Sequence, residues 1–279
     1  MKLEQIAVQT FAYKKVSLEH MAESLHGAGV KNFEFYAAAP HYCHYADFPA
    51  TAEEIRALDA RIHGLCTEYG LTMSCFAPES ADYPINIASE NPELREKSVR
   101  YFLDYLDDLA ALGCDQLMLT SGWDYFDRDK MAAWRRSVKS LRRIAARAEE
   151  LGVRLLLRPV SKFSTNLVHD LPSLTRMLFE VGSDSLYACI DVANLAENGE
   201  TIADYYDVLP DRIGHFRCYN LTDGGEVTTG EGVPTVKAYF DELDRFGYTG
   251  TVGFEMNFEH MVDPDCYVRQ AMDQLRGAL

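Results

Sequence analysis

The sequence predicts an α/β fold, a single (β/α)8 TIM barrel, and three observations carry that expectation. Strand-like and helix-like patterns alternate from end to end, giving eight βα units. The length of 279 residues suits one such barrel, which needs roughly 250. No Pro/Gly/Ser-rich linker or low-complexity stretch breaks the alternation, so residues 1–279 read as one domain. A doubly wound open sheet is the alternative, and the regularity of the units favours closure.

The strands are expected at 5–10, 32–36, 72–77, 116–120, 154–158, 187–191, 213–218 and 251–255, each a short apolar run. Helical spacing is clearest at 51–69, 92–112, 130–151, 234–246 and 263–279, and weaker at 17–28, 171–180 and 201–209. Ser17 and Thr51 are candidate N-caps, and Glu54 stands three residues after Thr51, a capping-box spacing. Glycines after the helices, such as Gly70 and Gly152, supply the left-handed C′ residue before the next strand. The segments after strands (37–50, 78–91, 121–129, 159–170 and 219–233) are longer than those after helices. In a barrel they emerge on the C-terminal face, where active sites are built.

A net charge of -16 argues against nucleic acid or an anionic membrane as partner, since either would repel this surface. No run approaches the ~20 apolar residues of a membrane span, and the first residues lack the apolar core of a signal peptide. Seven scattered cysteines, never spaced C-x-x-C, argue against a disulfide framework and point to a reducing cytoplasm.

Four charges close successive strands in the second half: Arg158, Asp191, Arg217 and Glu255. A barrel aims such positions at one point. The stretches 33–42 (FEFYAAAPHY), 75–86 (CFAPESADYPIN), 158–166 (RPVSKFSTN), 229–232 (TGEG) and 254–257 (FEMN) accompany them. On these stretches the chain resembles, over essentially its whole length, the sugar isomerase/epimerase barrels related to xylose isomerase. The likeness is strongest to fructoselysine and tagatose 3-epimerase-type proteins.

That resemblance implies a divalent metal held by Glu, Asp, His and Glu at the ends of strands 5 to 8, with the two glutamates exchanging protons across an enediolate. Asp191 and Glu255 match those positions, but Arg158 stands where the first Glu is expected and Arg217 where the His is expected. Ser164 replaces a second acid six residues after Arg158, and Asn194 and Asp223 stand near positions where the sugar epimerases carry His and Arg. Arginine stays protonated and has no lone pair to donate, and two fixed cations beside two carboxylates repel a dication. No metal cofactor is therefore expected.

Three functional readings follow. The first is a site for a sugar, sugar acid, sugar phosphate or glycated amino acid, with the arginines as anion-binding forks and Asp191 and Glu255 bonding hydroxyls or an amine. The second keeps catalysis: Glu255 acts as base and Arg158 or Arg217 as the electrophile that steadies an enediolate, which suits one-base isomerisation or elimination better than epimerisation. The third is a non-catalytic partner subunit of an intact paralogue. A fourth, structural reading is a self-satisfied ion-pair network left from an ancestral site.

Loop residues His41, His44, Glu79 and His169 are further recruits, each more often a cap than a catalyst. Trp123, with Phe35, Tyr36, Tyr125 and Phe163, falls on the active face, where rings pack against sugar C–H groups or cap the core. His41, Cys43 and His44 crowd too closely to converge on a metal. His215 reads as a satisfied core histidine one layer beneath Arg217. The basic run from Arg135 to Arg147 reads as the outer face of the fourth helix, with a homo-oligomer surface as the alternative.

Overall fold

A computed structural model describes residues 1–44, 51–80, 84–219, 236–255 and 261–279. Eight parallel strands close into a barrel in chain order. They are β1 (Ile6–Gln9), β2 (Asn32–Ala37), β3 (Thr72–Pro78), β4 (Gln116–Leu119), β5 (Arg154–Leu157), β6 (Leu186–Asp191), β7 (Ile213–Tyr219) and β8 (Val252–Glu255). The outer layer comprises α1 (Leu18–Gly27), α2 (Ala52–Tyr69), α3 (Pro92–Leu112), α4 (Lys130–Leu151), α5 (Leu171–Val181), α6 (Val192–Asn198), α7 (Ile202–Val208), α8 (Val236–Arg245) and α9 (Pro264–Ala278). The barrel is the one expected, with strand ends shifted by a residue or so.

Period-two alternation divides the core. On β7, Phe216 and Cys218 face outward into the large core shared with the helices, whereas His215 and Arg217 bond to Glu34 inside the barrel. A second, smaller apolar cluster (Cys75, Ala77, Met118, Leu156 and Cys189) fills the interior.

The helix ends follow the expected chemistry. Thr51 and Glu54 form the capping box of α2, and Gly70 ends that helix at φ 61°, where a Cβ is disfavoured. The basic run on α4 is spent on neighbouring helices: Arg143 grips Glu96 at 2.6 and 2.8 Å, and Arg147 bonds Asp107 on α3. It is the outer face of α4. The α6 helix was not expected, because seven residues directly after a strand show too little periodicity. The expected helix at 234–246 is observed from Val236 onward, and residues 234 and 235 lie outside the described residues.

Candidate functional site at the barrel mouth

The four strand-end charges converge. Arg158 follows β5 by one residue, and its backbone N–H still bonds the Leu119 carbonyl at 2.9 Å, which continues the strand ladder. Its Nη2 donates to Asp191 Oδ2 at 2.6 Å and to Glu255 Oε2 at 3.1 Å. Arg217 Nη1 lies 2.9 Å from the same Glu255 oxygen and 4.0 Å from Asp191 Oδ2. Strand register brings this about, since Asp191 pairs with Arg217 across β6–β7 and Arg217 with Gly253 across β7–β8. Asp191 is also the N-cap of α6, its Oδ1 accepting from Ala193 N–H at 3.0 Å.

A fifth charge, Glu34 on β2, completes the cluster and was not singled out from sequence. Its Oε2 accepts from Arg217 Nε at 3.1 Å and its Oε1 pairs with His215 Nε2 at 2.5 Å, with both side chains sealed from solvent. The histidine is thus the satisfied interior residue expected. Glu34 fits because β8 carries Gly253 opposite it: a Cβ there would lie 1.6 Å from Glu34 Oε1. Two weak sequence signals pointed this way: a lone acid between Phe33 and Phe35, and a glycine inside a strand.

Charge couples these groups. Burial opposes ionisation of Glu34, but Arg217 and His215 outweigh it and hold its pKa below the ordinary value. Burial likewise works against the Arg217 cation, and Glu255, Glu34 and Asp191 together raise its pKa above the usual guanidinium value. For Arg158, burial and the Arg217 charge are overcome by Glu255 and Asp191, and its pKa is again raised. Both guanidiniums are fixed cations. With Glu34 the cluster holds three carboxylates and two guanidiniums, and the third carboxylate is shared between Arg217 and His215.

Access differs sharply among the five. Arg217 and Glu34 are fully buried and Asp191 nearly so, while the Arg158 side chain is 24% exposed and that of Glu255 18%. A ligand at the mouth therefore meets Arg158 and Glu255, and feels Arg217 through them. Arg158 Nε and Arg217 Nη2 are buried without a hydrogen-bond partner among the described residues.

The other expected site residues disperse. His41 is buried, and its Nε2 bonds the Val16 carbonyl at 2.6 Å, so that nitrogen is spent on the fold. Glu79 accepts from the Tyr36 hydroxyl, and its own carbonyl accepts from Tyr101 at 3.0 Å. Trp123 is pinned through its backbone to Asn86, and its buried indole N–H has no partner among the described residues. Asn194 is buried in the first turn of α6 and donates to the His169 carbonyl at 3.0 Å. Ser164 is exposed in a turn, where its N–H bonds the Ser161 carbonyl. His44 pairs with Asp108, apart from His41. Asp223, residues 229–232 and residues 256–257 lie outside the described residues.

The closed parallel barrel gathers Arg158, Asp191, Arg217 and Glu255 at or near the C-terminal ends of their strands, the face on which barrel enzymes build their sites. Residues 22–278 match the xylose isomerase-like TIM barrel family, and the chain belongs to that family. It is similar to fructoselysine 3-epimerase from Escherichia coli O157:H7, at 24% identity over 275 residues covering 97% of this chain and 96% of that protein. It is also similar to ketose 3-epimerase from Arthrobacter globiformis, at 24% identity covering 73% and 68% respectively. Among solved structures it shares its fold with 3-keto-D-glucoside 4-epimerase from E. coli (TM-score 0.77, 17% identity, 98% and 99% covered). D-psicose 3-epimerase from Clostridium cellulolyticum H10 is comparable (TM-score 0.77, 18% identity, 98% of each chain).

Proposed function

We propose that the barrel mouth binds a small sugar-like ligand without the divalent metal implied by the resemblance to sugar isomerases and epimerases. One observation carries the reading: Arg158 Nη2 contacts both Asp191 and Glu255, at 2.6 and 3.1 Å. A cationic donor thus lies against the two carboxylates that a metal would need. Arginine offers no lone pair, so the donor set does not fit a dication. Among the described residues no group of three or more His, Cys, Asp or Glu side chains is arranged to hold a metal ion.

Ligand binding is favoured over a purely structural network because Arg158 and Glu255, unlike Arg217 and Glu34, stay partly open to solvent. Both guanidinium contacts to Glu255 fall on Oε2. Neither guanidinium contact uses its Oε1, and a carboxylate acceptor of this kind suits a hydroxyl. The similar proteins carry the names of enzymes acting on ketoses and fructoselysine, which supports the sugar class.

A thermal-shift screen of neutral sugars, sugar acids and glycated amino acids tests this. One or more of these ligands should raise the melting temperature of the wild type and not of Arg158→Ala. No shift from any of them contradicts the reading. The same exposed Arg158–Glu255 pair also favours a second reading, a metal-independent isomerase or lyase with Glu255 as base and Arg158 as electrophile. In that case Glu255→Gln abolishes turnover while binding persists, whereas a pure binding site changes only in affinity.

A further inference from the structure

The loop that leaves β2 is fastened by a cluster remote from the mouth charges. Tyr42 is fully buried, with its ring among Phe35, Phe76 and Tyr105. Its hydroxyl lies 2.6 Å from Asp59 Oδ1 on α2 and 2.8 Å from Asp108 Oδ2 on α3. Tyrosine brings one proton, which two ionised carboxylates would have to share in a three-centre bond. A proton on one of the two aspartates makes both contacts full hydrogen bonds. His44 Nε2 lies 2.6 Å from Asp108 Oδ2, and with a proton on that nitrogen Asp108 is the acceptor. Asp59, only 3% exposed, is the other.

We propose that Asp59 carries a proton that it donates to Tyr42, and that this acid–phenol–carboxylate bridge fastens the β2 loop to α2 and α3 only while the proton is bound. With Asp59 ionised, two carboxylates face one hydroxyl in a buried setting, and the loop loosens. The groups bearing on Asp59 are Tyr42 and His44 from the loop and Asp108 from α3. Asp104, one turn earlier on α3, bears on His44 and Asp108 in turn.

Burial, with the Asp108 charge adding to it, pushes the Asp59 carboxyl up from 3.8 to about 6. Because the folded state holds the proton more tightly than the unfolded one, the stabilisation is complete below the ordinary value and is lost as pH rises to about 6. The loop is latched in mild acid and loosened at neutrality.

Carbon NMR of protein labelled at the aspartate carboxyls, with hydrogen-exchange protection of the His41 and Tyr42 amides, tests the proposal. The Asp59 carboxyl should titrate near 6. Protection should fall by about tenfold between pH 5 and pH 7.5, and Asp59→Asn, which mimics the protonated acid, should abolish that fall. A midpoint in the ordinary aspartate range, or an Asp59→Asn variant that keeps the wild-type pH dependence, overturns it. If the variant does not fold, the wild-type titration decides alone.

Discussion

Arg217 is the largest fully buried side chain among the described residues, and it is a cation. It is tolerable only because Glu34 and Glu255 flank it at 3.1 and 2.9 Å. Arg217→Met removes the cation and leaves Glu34 with only His215, so it should cost about 3–5 kcal/mol by denaturant unfolding. Gly253→Ala drives a methyl group into the Glu34 carboxylate and should cost roughly 1–3 kcal/mol in the same measurement. Glu34 also sets an acid limit. Its folded pKa is lowered, so its stabilisation is present above the ordinary 4.5 and is lost as pH falls through the lower folded value. Acid unfolding followed by tryptophan fluorescence should show this loss in the wild type, and Glu34→Gln should remove that part of the pH dependence. Arg158, Asp191, Arg217 and Glu255 were legible as strand-ending charges. Glu34 was not, since a lone acid in an apolar strand gains its meaning only when β7 and β8 are brought beside it.

The strands and long helices were legible because each is a periodic run closed by a capping residue or a glycine. The α3 and α4 helices span the expected residues, Pro92–Leu112 and Lys130–Leu151. The α6 helix was missed, and it is the element that turns Asp191 into an N-cap as well as an ion-pair partner. Asp191→Asn should keep most of the cap, because asparagine caps as well as aspartate, while losing the carboxylate bonded to Arg158. Unfolding should therefore change by less than Arg217→Met changes it, while ligand-induced thermal shifts fall. Among the surface pairs, Arg143→Ala removes a bidentate contact to Glu96 that is half exposed, and should cost no more than about 1 kcal/mol by denaturant unfolding. The His41, Glu79, Trp123 and Ser164 expectations dispersed because sequence places a residue in a loop without saying where its side chain points.

At the scale of the whole molecule, an xylose isomerase-like barrel presents at its mouth a cluster in which guanidiniums contact the carboxylates that would hold an ion. No helix among the described residues is long and apolar enough to cross a membrane, and all seven cysteines are unpaired. The proposed function has Arg158 and Arg217 standing in place of a divalent metal. Direct titration of the purified, chelator-treated protein with manganese, followed by calorimetry and elemental analysis of the gel-filtered product, tests it most directly. No stoichiometric ion and no saturable heat are expected. One manganese per chain, lost on Asp191→Ala or Glu255→Ala, would contradict it.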